Sequence, residues 1–220
     1  MTAATKTQLY EQVARMGKAL SSPKRLELIE LLAQGEKAVE TLAAQTGMDV
    51  RLTSAHLRTL REARLVQTRR DGKHIHYRLS GDDVAPLWAK LRDVAGAHLV
   101  ELQVALAQMA AAPDTLSPES RASLLAKARR GDIVIIDVRP ATEFAAGHLP
   151  HARSLPLAEL KKRLAELPAG KQVVAYCRGP FCLMSDEAVR LLRRKGVVAH
   201  KISDGVVEWQ AAGLPLAEAA

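Results

Sequence analysis

The stretch VVAYCRGPFCLMSDEAVRLLRRKG, Val173 to Gly196, constrains the chain more than any other. Val173 to Tyr176 is a short apolar run of strand length. It delivers Cys177 to a tight loop, Arg178-Gly179-Pro180-Phe181-Cys182. A helical pattern follows, with Ala188, Leu191 and Leu192 on one side. A cysteine between a strand and a helix N-terminus faces backbone N–H groups and the positive end of the helix dipole. Both favour the thiolate, which is the nucleophile. The chain has two cysteines and both lie in this loop. In a reducing compartment such a pair reads as reactive rather than as a staple, the plainer alternative being two side chains that only pack.

At 220 residues, with 48% apolar content, there is material for two small cores. The net charge of +8 points to nucleic acid or another anionic partner. The start, MTAATKTQLYEQVARMGKAL, has no long apolar segment, and no window reaches the length of a membrane span. The expectation is a cytoplasmic protein with no membrane partner.

The first hundred residues have a definite order. Thr5 to Leu20 is helix-like, with Leu9, Val13, Met16 and Leu20 on one stripe. SSPKRLELIELLAQG predicts a second helix capped by Ser22, started by Pro23 and stopped at Gly35. Then come a short helix from Val39 to Gln45, a turn at Gly47 to Asp49, and a longer helix from Val50 to Ala63. That is the helix-turn-helix layout, in which the second helix enters the major groove. Arg51, Thr53, Ser54, His56 and Arg58 are its expected contacts with base edges and phosphates. LVQTRRDGKHIHYRLS alternates on both sides of Asp71-Gly72, a hairpin signal, and its tip carries Arg69, Arg70 and Lys73 for the DNA backbone. From Arg51 to Arg78 there are eight basic residues against two acids, so the positive charge gathers on this helix and hairpin. Asp83 to Ala110 predicts one helix with an apolar repeat of three and four, which wants a partner helix. We read it, with the first helix, as the seam of a homodimer on double-stranded DNA.

Through RLELIELLAQGE, MDVRLTSAHLRTLREARLV and RRDGKHIHYRLS, this half resembles an ArsR-type winged-helix repressor. The resemblance brings metal sites into question. Where some members place sensing cysteines this chain reads GEKAVETLA, and the half holds no cysteine at all. Of a second family site, His98 and Glu101 match one half, while Ala85 and Leu87 stand where an Asp and a His belong. Half a site holds a metal ion poorly, so no metal and no cofactor are expected, and His98 reads as a seam or surface residue.

AAPDTLSPES breaks the periodicity. The expected domains are residues 1–111, a linker 112–118, and residues 119–220. In the last of these, SLLAKARRG predicts a helix and DIVIIDVRP a buried strand ending in Asp137 and Arg139. VVAHKISDGVVEWQAAGLPL predicts a final strand and short helix. Alternating strands and helices argue for a parallel sheet covered on both faces, with the site beyond the carboxyl ends of its strands. The fold class is therefore mixed: a mainly α winged helix-turn-helix with a β-hairpin wing, then an α/β parallel sheet.

IIDVRPATEFAAGHLPHA, VVAYCRGPFC and DGVVEWQAAGLP together resemble a single rhodanese domain. The resemblance implies that Cys177 accepts a sulfane sulfur as a persulfide. The loop residues Arg178, Gly179, Pro180, Phe181 and Leu183 would bind substrate, with Arg178 adding positive charge. Asp137 and Arg139 read as a buried strand-end pair, and Glu143, His148 and Trp209 as scaffold. Relative to the usual rhodanese pattern the loop is about two residues longer, and Cys182 is an extra thiol placed to resolve a modified Cys177. A related fold grips oxyanions with an arginine six residues after the cysteine; position 183 is Leu. The function read here is a DNA-binding repressor whose rhodanese domain senses sulfane sulfur or redox state through Cys177 and Cys182, the effector being a small sulfur-containing or thiol-reactive molecule. The alternatives are a thiosulfate-type sulfurtransferase sharing a chain with its regulator, and an arsenical-responsive repressor using the thiol pair.

Overall fold

Leu28, Ile29, Leu42, Leu57 and Leu60 are removed from solvent by four helices: α1 (Ala3–Leu20), α2 (Pro23–Leu32), α3 (Val39–Thr46) and α4 (Val50–Glu62). The computed structural model describes residues 3–109 and 115–218. Pro23 opens α2, where its missing N–H matters least. Ser22 stands at the N-cap position, but its hydroxyl makes no capping bond. The capping falls to its backbone carbonyl, which accepts from the N–H of Arg25 and Leu26. Asp49 is a true cap for α4, its carboxylate accepting from Leu52 N at 2.8 Å.

The wing pairs β2 (Val66–Asp71) with β3 (His74–Leu79), Asp71 opposite His74. The two-residue turn is Gly72-Lys73, and Gly72 has φ 58. Glycine at the first turn position lets the hairpin follow the strand twist. The short β1 (Lys37–Ala38) completes the sheet in the order β1-β3-β2.

The helix expected from Asp83 to Ala110 is interrupted. α5 (Val84–His98) and α6 (Val100–Met109) meet at Leu99, and Ala110 lies outside the described residues. Gly96, a weak helix former, leaves its carbonyl to the Gln103 side chain, which donates to Gly96 O at 2.9 Å and Ala97 O at 3.3 Å. The N–H groups of Leu102 and Gln103 turn back to Leu99 O and start the next helix.

The chain divides into two compact units, Met1–Trp88 and Ala89–Ala220, the division falling within α5. In the second unit β4 (Ile133–Asp137), β5 (Arg153–Ser154), β6 (Gln172–Tyr176) and β7 (Ala199–Lys201) form a parallel sheet in the order β5-β4-β6-β7. Val134, Ile136, Val173 and Ala175 pack on one face with Leu160 of α9 (Leu157–Leu160) and with Ala188, Val189 and Leu192 of α10 (Met184–Arg194). On the other face Ile133, Ile135, Val174 and Tyr176 meet Leu124 of α7 (Arg121–Arg130) and Trp209 of α11 (Val206–Ala211). Both faces are buried, as a parallel sheet requires. Residues 112–114 of the expected linker are outside the described part; Leu116 bridges Lys201 in parallel, and Ser117 N donates to Lys201 O at 2.7 Å. This arrangement puts Cys177 at the carboxyl end of the central strand β6.

Candidate functional site

The floor of the loop is an ion pair wholly out of solvent. Asp137, ending β4, accepts from Arg139 Nη2 at 2.6 Å and from the Tyr176 hydroxyl at 2.6 Å. Arg139 also donates to Gly147 O at 2.7 Å. This network clamps the ends of β4 and β6 together, the structural part expected of Asp137 and Arg139. His148 stacks on Phe144 with ring centroids 3.7 Å apart and exchanges backbone hydrogen bonds with Ala217; Trp209 is fully buried.

Arg178 does not add free charge to the loop. Its guanidinium is bound by both oxygens of Glu143, at 2.7 and 2.9 Å, and Glu143 is 1% exposed. A buried carboxylate on α8 (Ala141–Ala146) needs a cation, and Arg178 supplies it. Gly205 presses on the loop from below: a Cβ there would lie 2.3 Å from Arg178 O. Gly205 N donates to Glu208 at 2.6 Å, and Glu208 also pairs with Arg92 of α5, whose side chain is 5% exposed. The Arg92 guanidinium carbon sits 5.7 Å from the centroid of Phe181 in the loop, within cation–π range.

Cys177 is 2% exposed. Its Sγ lies 3.3 Å from Ser185 Oγ and 3.3 Å from the Cys182 carbonyl. When Cys177 ionises, the Cys182 thiol is the strongest donor to its sulfur. The Ser185 hydroxyl and the N–H groups of Ser185 and Gly179 add to it against the opposing effect of burial. The thiol is pulled down from 9.0 to about 6. Cys182 moves the other way, because Cys177 holds its proton and because it is itself buried. The pair thus has one nucleophile and one donor, and both cysteines are free.

Ser185, Glu208 and Arg92 were not singled out from sequence. Ser185 carried a signal, a hydroxyl in the first turn of the helix after the loop. Glu208 carried another, three residues after Gly205, the spacing by which a helix-start carboxylate reaches back to a backbone N–H. Arg92 carried none.

On α4, Arg51 and Arg58 are exposed, and Ser54 and His56 are half-buried. Thr53 corrects the expectation: it is fully buried, its hydroxyl donating to Asp49 O at 2.8 Å, so it faces the core rather than a groove. Val50 and Leu52 are exposed beside Arg51 instead. In the wing Lys73 and Arg70 are exposed, Arg70 donating to Gly72 O, whereas Arg69 is held by Glu36 at 2.6 Å and Asp71 at 3.3 Å.

A family model described as bacterial regulatory protein, arsR family, matches residues 22–68, and one described as rhodanese-like domain matches residues 120–212. Over 215 residues the chain is 45% identical to the HTH-type transcriptional regulator Rv0324 of Mycobacterium tuberculosis, covering 98% of this chain and 94% of that protein. The chain belongs to the ArsR family of transcriptional regulators. This ArsR regulator carries a winged helix-turn-helix for DNA and a C-terminal rhodanese-like domain. Over 86 residues it is 31% identical to a sulfurtransferase of Allochromatium vinosum, covering 39% of this chain and 78% of that one. The regulator is also similar to the solution structure of a homodimeric winged helix-turn-helix DNA-binding domain from Mycobacterium bovis, described as a possible ArsR-family regulator. The identity is 46%, the coverage 45% of this chain and 92% of that one, and the TM-score 0.43. Among the described residues no helix of the regulator is long and apolar enough to cross a membrane.

Proposed function

We propose that this ArsR-family regulator is a homodimeric repressor whose rhodanese domain senses sulfane sulfur, with Cys177 as acceptor and Cys182 as resolving partner. The observation that carries the reading is the buried Cys177 at the carboxyl end of β6, with the Cys182 carbonyl and the Ser185 hydroxyl each 3.3 Å from its sulfur and both cysteines free. The Cys177 thiolate attacks the outer sulfur of a persulfide or polysulfide, the donor's S–S bond breaks, and the donor leaves as a thiolate. Cys182, after losing its proton, then attacks Cys177 Sγ, closing a Cys177–Cys182 disulfide and releasing the added sulfur as hydrosulfide. The donor is the oxidant, so none other is required.

Either product removes the thiolate that Cys182 and Ser185 bond. The loop must then rearrange around Phe181 and Gly179, the residues beside Arg92 and Glu208. Arg92 is on α5, a helix that begins in the DNA-binding unit. Loop chemistry can therefore favour one arrangement of α5 over another. A shift of about 5.5 kcal/mol would take a two-state equilibrium from one extreme to the other, and a few kcal/mol is enough for regulation.

Operator affinity of the full chain, measured at one salt concentration before and after treatment with a persulfide donor, with mass spectrometry of the loop peptide, tests the proposal. A large loss of affinity accompanying added sulfur or the crosslink, both abolished by Cys177→Ser, is the expected result. Clean persulfidation of Cys177 with unchanged affinity would overturn sensing and leave a sulfurtransferase fused to its regulator.

A further inference from the structure

The residues around Cys177 Sγ are also the wall of a cavity. Gly179, Cys182 and Ser185 approach the sulfur, and the same three residues border a space of about 240 Å³. Its other walls are mostly aliphatic: Leu106 and Met109 of α6, then Leu116, Pro180, Leu183 and Ile202. The charged groups in the wall, Lys201 and Asp186, hold each other at 2.5 and 2.6 Å. The loop's own cation, Arg178, is bound by Glu143. Among the described residues the wall gives a small dianion such as thiosulfate no uncompensated positive side chain, while it gives an alkyl group an apolar surface on several sides.

We propose that this cavity takes the organic half of a small hydropersulfide, R–S–SH, in which R is uncharged and apolar. The inference rests on Cys177 being the sulfur acceptor and names its donor class. With R against Leu106, Met109 and Leu183, the S–SH end points to the side of the cavity formed by Cys182 and Ser185, the residues that separate it from the buried Sγ. The Cys177 thiolate attacks the outer sulfur and the S–S bond of the donor breaks. R–S⁻ leaves with the electron pair and takes a proton from water, and the outer sulfur stays on Cys177 as the persulfide. Atoms and electrons balance without a further reactant. Selection comes from R, since the reacting S–SH group is common to every such donor.

The test measures the rate at which the full chain gains sulfur at Cys177, by mass spectrometry of the loop peptide. The donors are methyl, ethyl, propyl and butyl hydropersulfides generated in place, with thiosulfate and inorganic tetrasulfide for comparison, all below saturation. Each buried methylene is worth about fourfold, so the rate should climb by about that factor per carbon until the cavity is full, and thiosulfate should be slowest. Leu183→Asn, at a position 49% exposed and therefore safe for folding, should lower the butyl-to-methyl ratio several-fold, and Leu106→Gln should do the same. A flat series, a faster reaction with thiosulfate, or an unchanged ratio in both variants would overturn the donor class while leaving Cys177 as the acceptor. No sulfur on Cys177 from any donor would overturn the sensing reading, and this one with it.

Discussion

A buried thiol is ordinarily harder to ionise, and Cys177 is easier chiefly because the Cys182 thiol stabilises its thiolate. Its reactivity should follow the thiolate fraction: low below pH 5, half-maximal near pH 6, and level by about pH 7, where an ordinary thiol would still be climbing. Iodoacetamide alkylation of Cys177, followed by mass spectrometry across this range, checks the midpoint. Cys182→Ala removes the largest contribution to the lowered value, so the midpoint should move up toward 9.0, whereas Cys182→Ser keeps a donor and should move it less. The Asp137–Arg139 pair holds the loop's base. Asp137→Ala strands a fully buried guanidinium and should cost about 3–5 kcal/mol in denaturant unfolding. A cost below about 1 kcal/mol would mean that water reaches the clamp.

At the level of elements, the parallel sheet and the cysteine loop were legible in the sequence. Ile133 to Asp137 and Val173 to Tyr176 are continuous apolar runs of strand length, and a reactive cysteine after such a run has one natural place, the strand's carboxyl end. The helix-turn-helix and wing were legible through Asp49 and Gly72, whose side-chain oxygen and missing side chain set the local backbone. The break at Leu99 was not, because it depends on where the amide of Gln103 bonds, and apolar spacing carries no information about that. Nor were the partners of Arg178 and Arg92, which lie 35 and 116 residues away in the chain. Thr53 was misplaced because a threonine beside arginines looks like a groove contact until its hydroxyl is seen on the preceding turn. Lys73→Ala should reduce the slope of log affinity against log salt by about 1 if the wing contacts phosphate, while Thr53→Ser should leave operator affinity within about twofold; fluorescence anisotropy titrations over a range of salt would show both. Arg92→Gln should still gain sulfur at Cys177 but lose most of the change in operator affinity. An undiminished change would show that α5 receives the signal by another route.

Among the described residues, two helices keep apolar faces exposed. Leu9, Tyr10, Val13 and Met16 on α1 and Leu87, Leu91 and Val94 on α5 are each between 39% and 70% exposed. Such a surface fits the proposed two-fold dimer. Val13→Asp should shift sedimentation toward the monomer and weaken operator binding by tenfold or more; a dimer that persists would place the seam elsewhere. The uncovered faces also bear on gene dosage. A protomer that hides them only in pairs forms the DNA-competent species in proportion to the square of its own concentration while monomers predominate. Halving synthesis would then leave about a quarter of the dimers. Under that regime an operator regulating its own gene would correct a shortage of regulator more steeply than one bound by single chains.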